Sequence, residues 1–282
     1  MKVVECPRDA MQGIHEFIPT SLKIKYLNQL LKVGFDTIDF GSFVSPKAIP
    51  QLQDTAEVFA GLELNDKTDL LAIVANTRGA NDAVKIKEIK FLGYPFSISE
   101  TFQKRNTNRG ISEAWNDVQK IQEICVANDK KLVVYFSMGF GNSYGDAWNV
   151  EIVEQWAAKF QAIGVQIISL SDTIGAAIPS DISYLFNTLR NRYSDMEFGA
   201  HFHSRPDSWR EKIEAAYMNG CRRFDSTIKG IGGCPFAKDE LVGNIATENL
   251  LMFLNQKEES ISIDPKAYGE AVLTSSEVFS YL

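Results

Sequence analysis

The sequence predicts an α/β protein, a single (β/α)8 TIM barrel with a short C-terminal extension. Short apolar runs alternate with longer amphipathic segments, the alternation occurs eight times along 282 residues, and polar side chains follow many of the apolar runs. Eight units in this length correspond to about 30 to 35 residues each, the size of a strand followed by a helix. Closure of the eight units into one barrel is the simplest arrangement.

Eight runs rich in apolar and β-branched residues are the predicted strands. They cover residues 2–6, 37–43, 70–76, 94–99, 131–138, 166–173, 197–203 and 222–228.

Amphipathic stretches between these runs are predicted helices. In residues 21–34, Leu27, Leu30 and Leu31 contribute to an apolar face of helical period, and Gly34 stands where a helix commonly ends. Residues 112–129, 150–164, 180–193, 208–220 and 247–257 follow similar patterns.

A doubly wound open sheet is the competing architecture. It usually has fewer strands, and no Gly-x-Gly-x-x-Gly motif follows the first strand here, so the barrel is favoured. We expect residues 1–258 to form the barrel and residues 259–282 to form an extension that packs on it or at a subunit contact, and we expect a homodimer.

Composition excludes several classes of protein. The formal net charge of −7 argues against binding along a nucleic-acid backbone. The sequence has no apolar run long enough to cross a membrane and no signal-peptide core near its first residue, so we expect no membrane partner and a cytoplasmic location. Four cysteines stand far apart, which predicts free thiols: Cys6, Cys125, Cys221 and Cys234.

Two of the three histidines in the chain, His201 and His203, stand two residues apart at the end of the seventh predicted strand. Side chains alternate between the faces of a strand, so both imidazoles point the same way. Histidine is the commonest metal ligand, and this pair predicts a metal site at the barrel mouth. A pair of hydrogen-bonded core histidines is the alternative.

Oxygen ligands and a fixed cation follow other predicted strands. Mixed imidazole and oxygen ligation suits Mg²⁺ or Mn²⁺, with Zn²⁺ also compatible. An arginine beside the metal would add a fixed cation and a forked donor that suit a carboxylate or a developing enolate. A local surface ion pair and a helix cap are the alternative interpretations of these polar groups. The residues are Arg8, Asp9, Asp39, Asp172, Thr173 and Asn244.

The segment "GIGGCPFA" after the eighth strand has three glycines in four residues and delivers Cys234. Such a loop allows positive φ and close approach of the backbone to a ligand. A tight turn with an incidental thiol and a phosphate-cradling loop are the alternatives.

Several of these segments together resemble the hydroxymethylglutaryl-CoA lyases of the DRE-TIM metallolyase superfamily. The resemblance runs through "ECPRDAMQ", "DFGSFVSPK", "SLSDTIG", "GAHFH", "GGCPFA" and "GNIATENL" and covers roughly residues 2–257. It implies a TIM barrel that uses Mg²⁺ or Mn²⁺ to cleave 3-hydroxy-3-methylglutaryl-CoA into acetyl-CoA and acetoacetate, with an acyl-CoA as the partner.

The resemblance also implies residue roles. The metal ligands would be Asp9, His201, His203 and Asn244. Arg8 would stabilise the enolate, Cys234 would take part in proton transfer, and Glu248 would lie near the loop that carries Cys234. These three residues and Asp39 are the predicted catalytic set. The predicted substrate-binding residues are Gln12, Ser42, Asp172 and Thr173, with Lys104, Arg105 and Asn106 toward the CoA nucleotide.

The chain departs from the family pattern at several positions. Asp39 replaces a glutamate and is one methylene shorter, so we expect a shorter reach, and Cys6 replaces a glycine. Arg205 and Lys229 are new cations that would bind a carboxylate or a phosphate, or would be solvated. The sequence therefore predicts a divergent member. Action on another 3-hydroxyacyl-CoA, Claisen condensation, and a catalytically silent acyl-CoA-binding barrel stay open as alternatives.

Overall fold

Eight parallel strands close into a barrel in chain order, with the first strand paired to the last. The computed structural model describes residues 1–233 and 242–282. The barrel confirms the predicted fold class, and each predicted strand has an observed counterpart.

The strands are β1 (Lys2–Glu5), β2 (Thr37–Ser42), β3 (Asp69–Ile73), β4 (Ile89–Ser97), β5 (Lys131–Ser137), β6 (Ile167–Asp172), β7 (Glu197–Phe202) and β8 (Arg223–Ser226). The helices in the described residues are α1 (Pro7–Met11), α2 (Thr20–Val33), α3 (Thr55–Ala60), α4 (Thr77–Ala83), α5 (Glu100–Thr107), α6 (Ile111–Ala127), α7 (Val150–Ala162), α8 (Pro179–Arg192), α9 (Trp209–Met218), α10 (Thr247–Gln256) and α11 (Pro265–Val278).

The boundaries of all eight strands differ from the prediction by at least one residue, and β4 and β8 show why. Strand β4 begins at Ile89, earlier than the predicted residue 94, because buried Ile89 and Phe91 already alternate with exposed Lys90. Strand β8 ends at Ser226, before the predicted residue 228, because a 3-10 turn over Ile228–Gly230 diverts the chain. This turn leads into the glycine segment near the barrel mouth.

The apolar core has two layers. Inside the barrel, six buried side chains pack against one another: Leu71, Ile73, Phe91, Val133, Tyr135 and Ile167. A larger layer fills the space between the strands and the surrounding helices. Several other inward side chains are polar, which is unusual for a barrel interior and points to function.

The C-terminal helix α11 lies against α2. Lys25 Nζ is 2.7 Å from a carboxylate oxygen of Glu277, and the rings of Tyr26 and Phe279 are 6.0 Å apart. The boundary at residue 258 and the homodimer stay predictions.

Within residues 1–233 and 242–282, no helix has the length and apolar character needed to cross a bilayer.

Candidate active site

The turn from β1 into α1 brings the first pair of functional side chains to the barrel mouth. Pro7 occupies the first turn of α1, where its missing N–H is not needed. The helix follows the strand at once, so Arg8 and Asp9 lie over the strand ends, and both are buried. They are therefore not the surface ion pair that the sequence left open.

Arg8 is fixed by four hydrogen bonds. Its Nε and one terminal nitrogen donate to Asp39 Oδ2 at 2.9 and 2.5 Å. The other terminal nitrogen donates to Asp9 Oδ1 at 3.1 Å and to Gln12 Oε1 at 2.9 Å. A guanidinium clamped on three sides is preorganised for a negative charge in the pocket.

Asp39 reaches Arg8 although it is one methylene shorter than the expected glutamate. The pairing of β2 with β3 shifts register between Asp39 and Gly41, and such irregularities can re-aim side chains. Burial raises the pKa of Asp39 to about 6 against the opposing effect of Arg8, so the pair is ionic at neutral pH. Burial opposes the charge of Arg8, but Asp39 and Asp9 outweigh it and raise the pKa of Arg8.

His201 and His203 both present one ring nitrogen to the site, because the other is occupied. His201 Nδ1 lies 3.1 Å from Asp225 Oδ2, and His203 Nδ1 lies 2.9 Å from the carbonyl oxygen of Val242. Such partners fix the ring and leave Nε2 for a metal. Asp225 was not among the predicted site residues, although it lies within the predicted eighth strand.

Asp9, His201 and His203 form a potential metal centre. One donor atom from each residue lies within 4.8 Å of the other two. Asn244 adds an amide next to them, with its Nδ2 2.7 Å from Asp9 Oδ2. Burial alone would raise the pKa of Asp9, but the charges of Arg8, His201 and His203 outweigh it and lower the pKa. The donor set fits a divalent cation, as the resemblance implies.

The described part of the glycine segment, residues 230–233, packs against this centre. Gly232 has φ +106°, and a Cβ there would be 2.7 Å from Asn244 Nδ2 and 3.0 Å from the Asp9 carbonyl oxygen. Glu248 accepts the backbone N–H of Lys229 at 3.0 Å, which fixes the start of the segment. Cys234 lies outside the described residues.

A pocket opens above the centre, and the predicted substrate-binding residues divide around it. Gln12, Thr173 and Asn106 line the pocket. Ser42 is buried beside the Ile73 carbonyl and is not among the lining residues. Lys104 and Arg105 are exposed outside the pocket, paired with Glu100 and Tyr144. The roles of these residues remain predictions.

Asp172 has a structural partner that was not predicted from the sequence. Its Oδ2 accepts Lys212 Nζ at 2.7 Å, and its Oδ1 accepts the backbone N–H of Ala177 at 3.1 Å. Lys212 also donates to the His203 carbonyl at 3.1 Å. The ion pair thus supports the turn that carries His203.

The new cations, Arg205 and Lys229, do not line the pocket. Arg205 is exposed and lies near Asp207, and Lys229 Nζ donates to Ser276 Oγ on α11 at 2.7 Å.

The comparison with known protein families covers the segments that carry these residues. The HMGL-like family model matches residues 4–272. The chain belongs to the HMGL-like family.

Relatives of this HMGL-like chain extend over nearly its whole length. A 3-hydroxy-3-isohexenylglutaryl-CoA/hydroxymethylglutaryl-CoA lyase of Pseudomonas aeruginosa is 31% identical over 94% of this chain and 88% of that relative. A hydroxymethylglutaryl-CoA lyase of Bacillus subtilis is 31% identical over 89% of this chain and 83% of that protein.

The structure of an HMG-CoA lyase from Acinetobacter baumannii in complex with coenzyme A and 3-methylmalate superposes with a TM-score of 0.92. The identity is 30%, over 99% of this chain and 91% of that chain. The resemblance and the enzyme class, a carbon–carbon lyase of HMG-CoA lyase type, are confirmed at the level of the family.

Proposed function

We propose that the protein is a divalent-metal-dependent lyase that cleaves 3-hydroxy-3-methylglutaryl-CoA to acetyl-CoA and acetoacetate. The observation that carries this proposal is the Asp9, His201 and His203 donor set beside a clamped Arg8 at the floor of the pocket. The same donors would hold Mg²⁺ or Mn²⁺, with Asn244 as the fourth protein group. Zn²⁺ also suits them.

Cleavage of the bond between C2 and C3 requires loss of the proton from the tertiary alcohol, and electrons then collect on the thioester oxygen. A bound cation would lower the pKa of that alcohol. Arg8 is the group in this chain that would meet the enolate charge, since it is buried and already oriented by Asp39, Asp9 and Gln12. Preorganised charge of this kind is worth about 3 to 4 kcal/mol in a transition state.

The carbanion carbon must finally receive a proton. We propose Cys234 as the residue that takes part in this transfer, as the resemblance implies. Glu248 would act indirectly, because its carboxylate fixes Lys229 at the start of the same segment. Glu248 is therefore a positioning residue in this proposal.

A larger substituent at C3 defines a second candidate substrate. The pocket lining includes a set of apolar side chains: Val44, Ile49, Ile73, Pro95 and Phe102. The name of the Pseudomonas aeruginosa relative includes a 3-hydroxy-3-isohexenylglutaryl-CoA lyase. A 3-hydroxy-3-alkylglutaryl-CoA would place its alkyl group against these apolar side chains.

The test is a product assay with reduced protein, Mg²⁺ or Mn²⁺ and either CoA ester. We expect acetyl-CoA and the matching 3-oxo acid in equal amounts, no product after chelation, and recovery when metal is restored. Arg8→Gln should lose turnover but keep metal binding, whereas His203→Ala should lose both. Absence of product from both esters with metal bound would refute the proposal.

A further inference from the structure

A second group of metal-ligand type lies inside the barrel next to the first. Cys6, His201 and Asp225 each place one donor atom within 4.8 Å of the other two. Cys6 and Asp225 are buried, and His201 is the one residue shared with the Asp9, His201 and His203 set. A thiol, an imidazole and a carboxylate form a donor set typical of Zn²⁺ and related thiophilic cations.

The polar groups of this second triad are incompletely used by the fold. Among the described residues, Asp225 Oδ1 is buried with no hydrogen-bond partner, and the side chain of Asp225 is 1% exposed. Within the described parts of the chain, the Cys6 thiol makes one hydrogen-bond contact, a long one of 3.8 Å to the Val4 carbonyl. Buried polar atoms are normally paired, so an unpaired carboxylate oxygen within a donor triad indicates a ligand.

Charges of both signs surround this triad. Asp9, Asp39 and Asp225 act electrostatically on the Cys6 thiol and Arg8 opposes them, while buried Arg223 lies two residues before Asp225 in β8. The spacing of His201 Nδ1 and Asp225 Oδ2, 3.1 Å, is close to that of two ligands on one tetrahedral ion with bonds of about 2.0 Å.

We propose that Cys6, His201 Nδ1 and Asp225 bind a thiophilic cation such as Zn²⁺ or Cd²⁺, and that this binding excludes a cation from the Asp9, His201 and His203 set. Binding of the thiophilic cation does not depend on the proposed lyase function. Inhibition of turnover by that cation rests on the proposed lyase function. Cys6 is the thiol ligand of this site, since neither Cys125 nor Cys221 belongs to a group of potential metal ligands among the described residues.

The proton balance explains the exclusion. Binding breaks the S–H bond of Cys6 and releases its proton to solvent. The Nδ1 lone pair of His201 goes to the cation, so the ring proton that faced Asp225 moves through solvent to Nε2. A protonated Nε2 has no lone pair for an ion at the other set. His201 thus serves one site at a time.

Cadmium titration of the metal-free, reduced protein tests the site directly, because a thiolate bound to Cd²⁺ gives an ultraviolet charge-transfer band. In the wild type, we expect the band to saturate at one Cd²⁺ ion per chain. Cys6→Ala and Cys6→Ser should both abolish it, and the second variant retains most of the side-chain volume. Asp225→Asn should weaken Cd²⁺ at least about tenfold.

Two controls separate this thiol from the others. Cys221→Ala should retain the band, because Cys221 is equally buried but directs its thiol at the Arg223 carbonyl. Cys234→Ser should retain it too. A band that persists in both Cys6 variants, or that disappears in Cys234→Ser, overturns the proposal.

Competition tests the exclusion. Saturating Mg²⁺ or Mn²⁺ should raise the apparent Kd for Cd²⁺ at least tenfold in the wild type, and unchanged affinity would contradict the shared use of His201. In the lyase assay, Cd²⁺ inhibition should be relieved by Mg²⁺ and weakened at least tenfold in Cys6→Ala. A protein with the band but without lyase turnover would retain the site and refute only the proposed function.

Discussion

Replacing Asp39 with asparagine tests the role of the Asp39–Arg8 ion pair, called the clamp on Arg8 below. Asp39 is fully buried and accepts two hydrogen bonds from Arg8, at 2.9 and 2.5 Å. Removal of one partner from a buried ion pair costs about 3 to 5 kcal/mol of unfolding free energy. Asp9 still lies 3.1 Å from Arg8, so we expect a loss near 3 kcal/mol, at the lower end of that range.

The same change should affect turnover more than folding alone explains. Arg8 would lose two of its four hydrogen bonds, and a shift of about 1 Å in a catalytic group can cost about a hundredfold in rate. We therefore expect Asp39→Asn to lower kcat about a hundredfold. Denaturant unfolding gives the stability, and the product assay gives kcat.

A matched control lies outside the pocket. Lys23 and Asp54 form another buried pair, at 2.9 Å, and neither lines the pocket. Asp54→Asn should lose a similar unfolding free energy and keep its kcat. If Asp39→Asn retained kcat, or if both variants lost it equally, the clamp would be structural only.

The pH profile gives an independent readout of the clamp. The pKa of Asp39 is about 6, so its carboxylate protonates as the pH falls through 6 and releases Arg8. We expect wild-type kcat to fall on that acid limb. In Asp39→Asn, the pH profile of kcat should lack the part of the acid limb that comes from protonation of Asp39.

Three further predictions concern the surroundings of the site. Gly232→Ala should weaken Mn²⁺ binding about tenfold or more in calorimetry, because the added Cβ would press on Asn244. Gly269→Ala should leave Mn²⁺ binding unchanged, because a Cβ there would meet no atom within 4 Å. Burial raises the pKa of Glu5 from 4.5 to about 8, so its neutral form stabilises the fold and this stability is lost as the pH rises through 8. From pH 6 to pH 9 the wild type should lose about 3 kcal/mol of unfolding free energy relative to Glu5→Gln, and a constant difference would refute this. Charge reversal at Lys104 and Arg105 should raise KM for the CoA ester and leave kcat unchanged, with Lys85→Glu as the exposed control; an unchanged KM would remove them from CoA binding.

The sequence predicted the barrel well because strand and helix periods are local signals. His201 and His203 were predicted as one site because a two-residue spacing in a strand fixes a common direction. Arg8 and Asp9 were predicted to reach the same mouth because strand ends of a parallel barrel share one face.

The missed contacts are those that depend on how distant segments meet. Asp225 contacts His201 across 24 residues, and Lys212 contacts Asp172 across 40. Asp39 contacts Arg8 across 31 residues, and it lies beside a register shift between β2 and β3 that no sequence period reveals. Pairing partners and side-chain reach therefore required the three-dimensional structure, whereas strand positions did not.

The most direct test of the central claim is anomalous scattering from crystals grown with Mn²⁺. The claim predicts one manganese peak among Asp9, His201 and His203, within coordination distance of all three and beside Arg8. A peak elsewhere in the barrel, or none at a manganese concentration that supports turnover, would contradict it.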